Sequence, residues 1–412
     1  MDEELLQKGR LRLDWAEAHM PVLAEIRAQL IEDGTLKGLK VGMALHVEAK
    51  TGILATTLAR AGAQVSLASC NPLSTDDSVA QALKEMGIKV YAKKWESTEE
   101  YYNNLNAVLD ASPDFVIDDG ADLITMLHTS RKDKLDGVRG GNEETTTGVI
   151  RLRSMAAEKK LLFPVMAVND AFMKFLFDNR YGTGQSTFDG FMNATNLLIA
   201  GKTLVVAGYG WCGRGIASRA KGMGADVIVT EVDPIRAIEA RMDGHRVMTM
   251  LDAVKQADII ITATGCKDII TEEHLKVLKS GCVMGNAGHF DNEISKPALE
   301  KLGGKPHKVR EFVEAYDLPG GRKAYLIAEG RLMNLAAGQG HPAEIMDMSF
   351  SVQALSLEVL AKGYREMGPT VHPVPRSLDE RVAAIKLRTL GVKLDKLTDA
   401  QQHYLHDWKE GT

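Results

Sequence analysis

Halfway along this 412-residue chain an apolar run breaks into closely spaced glycines, Val205-Val206-Ala207-Gly208-Tyr209-Gly210-Trp211-Cys212-Gly213-Arg214-Gly215, and the next apolar run closes on Glu231. Thr203 to Ala207 reads as a strand, Arg214 to Met223 as a helix and Val227 to Thr230 as the next strand, the context in which this glycine spacing carries meaning. Gly208 permits the tight turn. Gly210 lets backbone amides approach a pyrophosphate, and Gly213 lets the helix pack closely with its positive N-terminal end on the phosphates. A dinucleotide is therefore expected between two large blocks of other sequence. Glu231 stands where an acid takes both ribose hydroxyls, which favours NAD over NADP because a 2′-phosphate would meet a like charge.

The length suggests roughly two to three domains. A net charge of -5 offers no global attraction to nucleic acid or an acidic membrane. No apolar run reaches about 18 residues, and Met1-Asp2-Glu3-Glu4 is acidic where a signal peptide would be basic, so the expectation is a cytoplasmic protein without a membrane partner. Cys70, Cys212, Cys266 and Cys282 form no CxxC pair and the histidines no HExxH motif. Reduced, mostly buried thiols and no metal are expected.

Before the glycine turn, an amphipathic helix from Leu11 to Leu30 meets Pro21, which would end it, kink it or begin a second helix. Strands at Lys40–Leu45, Gln64–Ala68, Lys89–Ala92 and Phe115–Ile117 then alternate with helices at Thr51–Ala61, Val79–Met86 and Thr98–Leu109, which predicts a parallel sheet in its own right. His46, Cys70, Asn71, Asp118 and Asp119 follow these strands, where ligands of open α/β sheets bind. After the turn, strands are expected at Ala257–Thr262 and Gly281–Met284, with Thr264-Gly265 and Asn286-Ala287-Gly288-His289 beyond them. A helix at Ala343–Ala361 should cross back to the first domain, and the charged, helical tail Leu378–Trp408 reads as an arm on another surface. The fold class is α/β: two Rossmann-like doubly wound parallel-sheet domains plus a small helical C-terminal arm.

Three constellations could carry chemistry. Lys174 and Asp178 are four apart and would share a helix face; such a pair is most often a surface ion pair, but the neighbours Phe172, Phe175, Leu176 and Phe177 argue for burial, where each perturbs the other's proton affinity. Thr145, Thr146 and Thr147 before Gly148 are either a strand edge or helix cap, or a loop offering hydroxyls to a cofactor. Asp118-Asp119-Gly120 is either a solvated turn or a strand-end general base. His289 and His341 each follow a glycine, which suggests close approach to a ligand or a hinge.

The segments Glu143-Glu144-Thr145-Thr146-Thr147-Gly148, Asn169-Asp170, Phe177-Asp178-Asn179, Gly208-Tyr209-Gly210, Gly288-His289-Phe290-Asp291 and Glu329-Gly330-Arg331-Leu332 closely resemble the S-adenosyl-L-homocysteine hydrolase family, over about residues 11–405. The resemblance implies a substrate domain from residues 1–184 and 340–388, an NAD domain at 185–339, and an arm at 389–412 that exchanges between subunits of a homotetramer. It further implies reversible hydrolysis of S-adenosyl-L-homocysteine to adenosine and homocysteine. Oxidation of the ribose 3′-hydroxyl acidifies the 4′ hydrogen, homocysteine leaves by β-elimination, water adds and the ketone is reduced again, so NAD stays bound.

By resemblance, Lys174 and Asp178 handle the 3′-hydroxyl proton with Asn179 beside them, Asp119 is the acid/base at the 4′ carbon, and His46 and His289 attend the 5′ position. Glu144 lies near the ribose hydroxyls. Thr145, Thr146, Thr147, Asn179, Gly208, Gly210, Gly213, Glu231, Asn286 and Asn334 fit cofactor contacts, while His341, Met346 and Phe350 fit the purine pocket and its gate. Thr183 stands where many members have cysteine. The sequence ends at Trp408-Lys409-Glu410-Gly411-Thr412 without the Lys and Tyr tail of longer members, from which easier cofactor exchange is expected.

At the purine edge, Glu48 and Lys50, followed by Thr51, replace the Thr and Glu of longer members. They would suit hypoxanthine, with Lys50 donating to its oxygen and Glu48 accepting from a ring N–H; they could instead read adenine, or pair with each other. The same chemistry on S-inosyl-L-homocysteine is the alternative. A two-domain NAD-dependent hydroxyacid dehydrogenase and a non-catalytic NAD-binding regulator are more distant ones.

Overall fold

In the computed structural model, which describes residues 3–409 and 411, two sheets organise the chain. Met1, Asp2, Glu410 and Thr412 of the expected terminal segments lie outside the described residues. The first sheet contains β1 (Lys40–Ala44), β2 (Gln64–Ala68), β3 (Lys89–Tyr91), β4 (Phe115–Asp118), β5 (Gly140–Glu143) and β6 (Val165–Ala167). The second contains β7 (Thr203–Ala207), β8 (Asp226–Thr230), β9 (Arg246–Val247), β10 (Ile259–Thr262), β11 (Cys282–Asn286), β12 (His307–Arg310), β13 (Val313–Leu318) and β14 (Arg322–Ile327). A last strand, β15 (Val371–Pro373), returns to the first sheet beside β6.

The first sheet runs β15-β6-β5-β4-β1-β2-β3, all parallel, and the second β12-β13-β14-β11-β10-β7-β8-β9. Each embeds the doubly wound order, with its topological switch between β1 and β4 in one and between β7 and β10 in the other. Buried runs such as Leu204-Val205-Val206-Ala207 suit strands covered on both faces by helices. The second sheet departs from the expected purely parallel form: β12, β13 and β14 pair antiparallel, although β14 joins β11 in parallel. This meander was not expected from the sequence, although Gly303-Gly304 before β12 and Pro319-Gly320-Gly321 between β13 and β14 are turn signals; all four residues of β12 are exposed.

Pro21 begins a second helix. Helices Glu3–Ala18 and Pro21–Asp33 are separate, with proline at the first turn, where its missing N–H costs nothing. β5, Gly140-Gly141-Asn142-Glu143, has little strand propensity and is held by packing: a Cβ on Gly141 would come within 2.9 Å of Val116. The tail is not one helix either. Arg376–Thr389 and Asp399–His406 are helical, with Gly391 in the left-handed region between them.

Helix Ala343–Gly363 joins distant parts of the chain. Its buried Asp347 accepts from Leu23 N through Oδ1 at 2.9 Å and from Val22 N through Oδ2 at 3.3 Å, and Lys386 Nζ lies 3.1 Å away. One carboxylate thus caps helix Pro21–Asp33 and fastens helix Arg376–Thr389 to it.

Candidate active site

The carboxyl edges of the two sheets face one another across a cavity of about 800 Å³ lined by both. His46 follows β1 and Asp119 follows β4, on either side of the first switch point; Gly208 follows β7 and Thr264 follows β10, on either side of the second. Glu144 follows β5 and His289 follows β11. The sheet order alone therefore delivers six candidate groups to one crevice.

On the first edge, Lys174 is 4% exposed and donates through Nζ to Asp178 Oδ1 at 2.9 Å and Asn179 Oδ1 at 2.8 Å, with Glu144 Oε1 at 3.4 Å. Burial would lower the ammonium pKa, but Asp178 and Glu144 outweigh it and hold Lys174 charged. Burial likewise opposes ionisation of Asp178, and Lys174 and His341 overcome it, keeping this carboxyl below its usual range. Glu144 follows burial, against the opposing charge of Lys174, up to about 7. The lysine and Asp178 do not share a regular helix face as expected. Helix Phe172–Phe175 ends, and Asp178–Gly182 is a π-helical turn, a wider winding found frequently at functional sites.

Asp119 sits between two imidazoles, His46 Nε2 at 3.3 Å from Oδ2 and His289 Nδ1 at 3.5 Å from Oδ1. His46 Nδ1 is 2.7 Å from Ser74 Oγ and 3.3 Å from Cys70 Sγ. Burial lowers His46 to about 4, more than Asp119 raises it, so the ring is neutral at physiological pH. His46, Cys70 and Asp119 offer ligand-type atoms within 4.8 Å of one another and are joined by the Cys70 contacts to His46 Nδ1 at 3.3 Å and Asp119 Oδ2 at 3.6 Å. Asp118 turns away from the cavity and accepts from Asp119 N and Ile124 N, capping the next helix.

On the second edge, Gly208 has φ +92°, and a Cβ on Gly213 would overlap the Gly208 carbonyl, so both glycines are required by the turn itself. Helix Trp211–Gly222 starts at the cavity, leaving its first amides directed there. Glu231 accepts from Tyr209 N and Val232 N, both at 2.7 Å, and its carboxylate borders the same space. Asn334, 2% exposed, donates to Ser186 Oγ at 3.2 Å, while its Oδ1 has no protein partner among the described residues. A glycine cradle, a helix N-terminus, a ribose-height acid and an orphaned acceptor together fit a dinucleotide.

Most expected residues line this cavity: His46, Glu48, Thr51, Asp119, Glu144, Thr145, Thr146, Thr147, Lys174, Asp178, Asn179, Gly208, Gly210, Glu231, His289, Asn334, His341, Met346 and Phe350. All three threonines face the crevice, and although Thr145 is the cap position of helix Thr146–Ala157 its side chain makes no capping hydrogen bond. Three expected residues do not line it. Gly213 serves helix packing. Asn286 is fully buried and gives its amide to the carbonyls of Gly288, Phe290 and Gly330, which sets the His289 loop. Lys50 pairs with Glu48 and donates to Gln339 O at 2.7 Å.

His341 places Nε2 3.4 Å from Asp178 Oδ1 and Nδ1 3.0 Å from Ser186 Oγ, so it abuts the Lys174 cluster. Of the cysteines, Cys70 and Cys282 are buried, Cys212 is half-buried and Cys266 is exposed, fewer buried thiols than expected.

Sequence reasoning missed Asp379. From helix Arg376–Thr389 it accepts from Phe172 N at 3.1 Å and Met173 N at 2.7 Å, capping the short helix that carries Lys174. More than 200 residues separate the partners, so no local pattern could reveal them. Asp379→Ala is expected to cost about 1–2 kcal/mol of stability as a lost cap and to reduce turnover about 10-fold by displacing Lys174. Thermal melting and steady-state rates would check both effects.

Comparison with known proteins agrees with this geometry. The family model for S-adenosyl-L-homocysteine hydrolase matches residues 1–136, and the model for the NAD-binding domain of that hydrolase matches residues 179–340. The adenosylhomocysteinase of Thermoplasma acidophilum is 58% identical over 406 residues, covering 98% of this chain and 99% of the relative. That of Archaeoglobus fulgidus is 56% identical over 405 residues, covering 98% and 100%. The S-inosyl-L-homocysteine hydrolase of Methanocaldococcus jannaschii is 56% identical over 411 residues, covering 100% and 99%.

Proposed function

The chain belongs to the S-adenosyl-L-homocysteine hydrolase family, and we propose that it uses NAD to hydrolyse S-adenosyl-L-homocysteine reversibly to adenosine and L-homocysteine. The observation that carries this reading is the shared cavity, in which a buried Lys174–Asp178–Glu144 cluster faces a dinucleotide cradle. Bound NAD supplies a reversible oxidant for the ribose 3′ carbon. Lys174, held charged by Asp178 and Glu144, stabilises the developing 3′ oxyanion. Glu144, poised near neutrality, accepts the hydroxyl proton. Asp119 takes the acidified 4′ proton and, once protonated, returns it by way of the flanking imidazoles to the departing thiolate, while neutral His46 with His289 later orients water at the 5′ carbon. Thr145, Thr146, Thr147, Asn179, Gly208, Gly210, Glu231 and Asn334 hold the cofactor, whereas Gly213 shapes its turn.

Glu48 and Lys50 pair with each other, Glu48 also capping helix Ala49–Arg60 through Lys50 N and Thr51 N and Lys50 donating to Gln339 O, so the preference for the adenosyl compound is supported by the names of the T. acidophilum and A. fulgidus relatives. S-inosyl-L-homocysteine is the second reading, supported by the name of the M. jannaschii relative. Thr51, His341, Met346 and Phe350 complete the substrate pocket. The substrate domain comprises residues 1–184 and 340–388, the NAD domain 185–339 and the arm 389–412, in a cytoplasmic homotetramer. Exposed Leu390, Leu394, Leu397, Tyr404, Leu405 and Trp408 support an arm that packs on another subunit. No helix among the described residues is long and apolar enough to cross a membrane.

Purified protein given the adenosyl and inosyl thioethers side by side is expected to release thiol without accumulating free reduced nicotinamide, and faster from the adenosyl compound. Faster release from the inosyl compound would establish the second reading. Steady release of reduced nicotinamide without thiol would instead identify a dehydrogenase.

A further inference from the structure

A neutral amide stands directly behind Glu144. Gln353, on helix Ala343–Gly363, donates through Nε2 to Glu144 Oε2, and Ser349 on the same helix donates to Glu144 Oε1 at 3.0 Å. A side-chain amide can turn either end towards a neighbour, but an ionised carboxylate accepts only from the N–H end. That choice is made on the far side, where Asn142 Nδ2 donates to Gln353 Oε1 at 2.9 Å and to the Gln353 backbone carbonyl at 3.0 Å. With its oxygen engaged, Gln353 can face Glu144 only with hydrogen. Asn142, Ser349 and Gln353 are all fully buried, so a reversed amide would set two oxygens together with nothing to relieve them.

We propose that Asn142 and Gln353 form an orientation lock that favours the ionised form of Glu144 and aims it at the substrate ribose, making Gln353 a positioning residue for proton transfer from the 3′-hydroxyl. The inference rests on the functional reading above. The charged groups acting on Glu144 are Lys174, Asp178 and Asp119. Glu143, next in the chain, turns to Gly120 N and Thr145 N. On helix Ala343–Gly363, Asp347 is tied to Val22, Leu23 and Lys386, and Glu358 to Lys362, so that helix meets Glu144 with Ser349 and Gln353. Because burial brings Glu144 up to about 7, one donor more or less changes its ionised fraction in the physiological range.

Removing a donor from the ionised form raises the pKa, lowers the ionised fraction at a given acidic pH and leaves the alkaline plateau untouched. For Gln353→Met in the NAD-loaded protein, the acid limb of bound-nicotinamide reduction by adenosine is expected to move up by about one pH unit, with a rate about 10-fold lower near pH 6 and restored near pH 9. Adenosine binding should be nearly unchanged. Ser349→Ala should shift the limb in the same direction by less, and it is the milder change should Gln353→Met fail to fold. A rate lowered equally at every pH, or an unmoved limb in a variant that melts like the parent, would overturn the lock. If the unaltered protein reduced no nicotinamide with any purine riboside at any pH, the functional reading would fall and take the lock with it.

Discussion

Lys174→Ala is expected to lower turnover by about 10³-fold or more, the scale of a lost proton-handling and charge-stabilising group. The loss should fall on the first step, so that adding adenosine to the NAD-loaded variant gives no absorbance at the wavelength of reduced nicotinamide. Lys174 is the buried cation that Asp178, Asn179 and Glu144 all face. Its removal leaves two buried acids facing each other, and breaking such a cluster costs about 3–5 kcal/mol. Protonation of Glu144, already poised near neutrality, relieves part of that cost. The variant should therefore be measured after melting shows a folded state. Unchanged nicotinamide reduction in that folded protein would remove Lys174 from the role assigned to it.

Asp119→Asn should divide the reaction at a different point. The 3′ oxidation depends on Lys174 and Glu144 and should survive, whereas thiol release should slow by about 10²–10⁴-fold, the range for a lost general base. Asp119 Oδ1 is buried without a hydrogen-bond partner among the described residues, and His46 and His289 flank the carboxylate at 3.3 and 3.5 Å. Such an oxygen is free to take a proton from carbon. With S-adenosyl-L-homocysteine the variant should hold its nicotinamide reduced while releasing almost no thiol, and exchange of the 4′ hydrogen with deuterated solvent should disappear. Thiol release at the parent rate would place the 4′ base elsewhere.

The two variants also bear on which parts of the site could be read from residues alone. The dinucleotide turn was legible because its chemistry is local: Gly208, Gly210 and Gly213 lie within six residues, and the strand and helix on either side announce themselves by apolar pattern. His46 and Asp119 were legible by another route, as polar residues just past apolar strands, where doubly wound sheets place their ligands. Asn286 shows what strand-end position leaves hidden. It ends a strand at the crevice edge, yet its amide is spent on three carbonyls of the adjoining loop, a fate that strand-end position does not disclose. The edge strand β12 escaped because all four of its residues are exposed and no buried face imposes alternation, whereas Pro319-Gly320-Gly321 did mark the turn between β13 and β14.

By itself the sequence determined the α/β class, the NAD turn and the residue types available for hydroxyl oxidation, since each depends on neighbours a few positions apart. Only the tertiary structure decided which of those residues meet. Gln353 lies 209 residues from Glu144, and Asp379 lies 207 from Phe172. Such contacts arise when helix Ala343–Gly363 and the helix after it return to a sheet built from the first part of the chain. Once they return, burial sets the proton affinities, because removing water makes the identity of each neighbour decisive for whether Glu144, Lys174 and His46 carry charge.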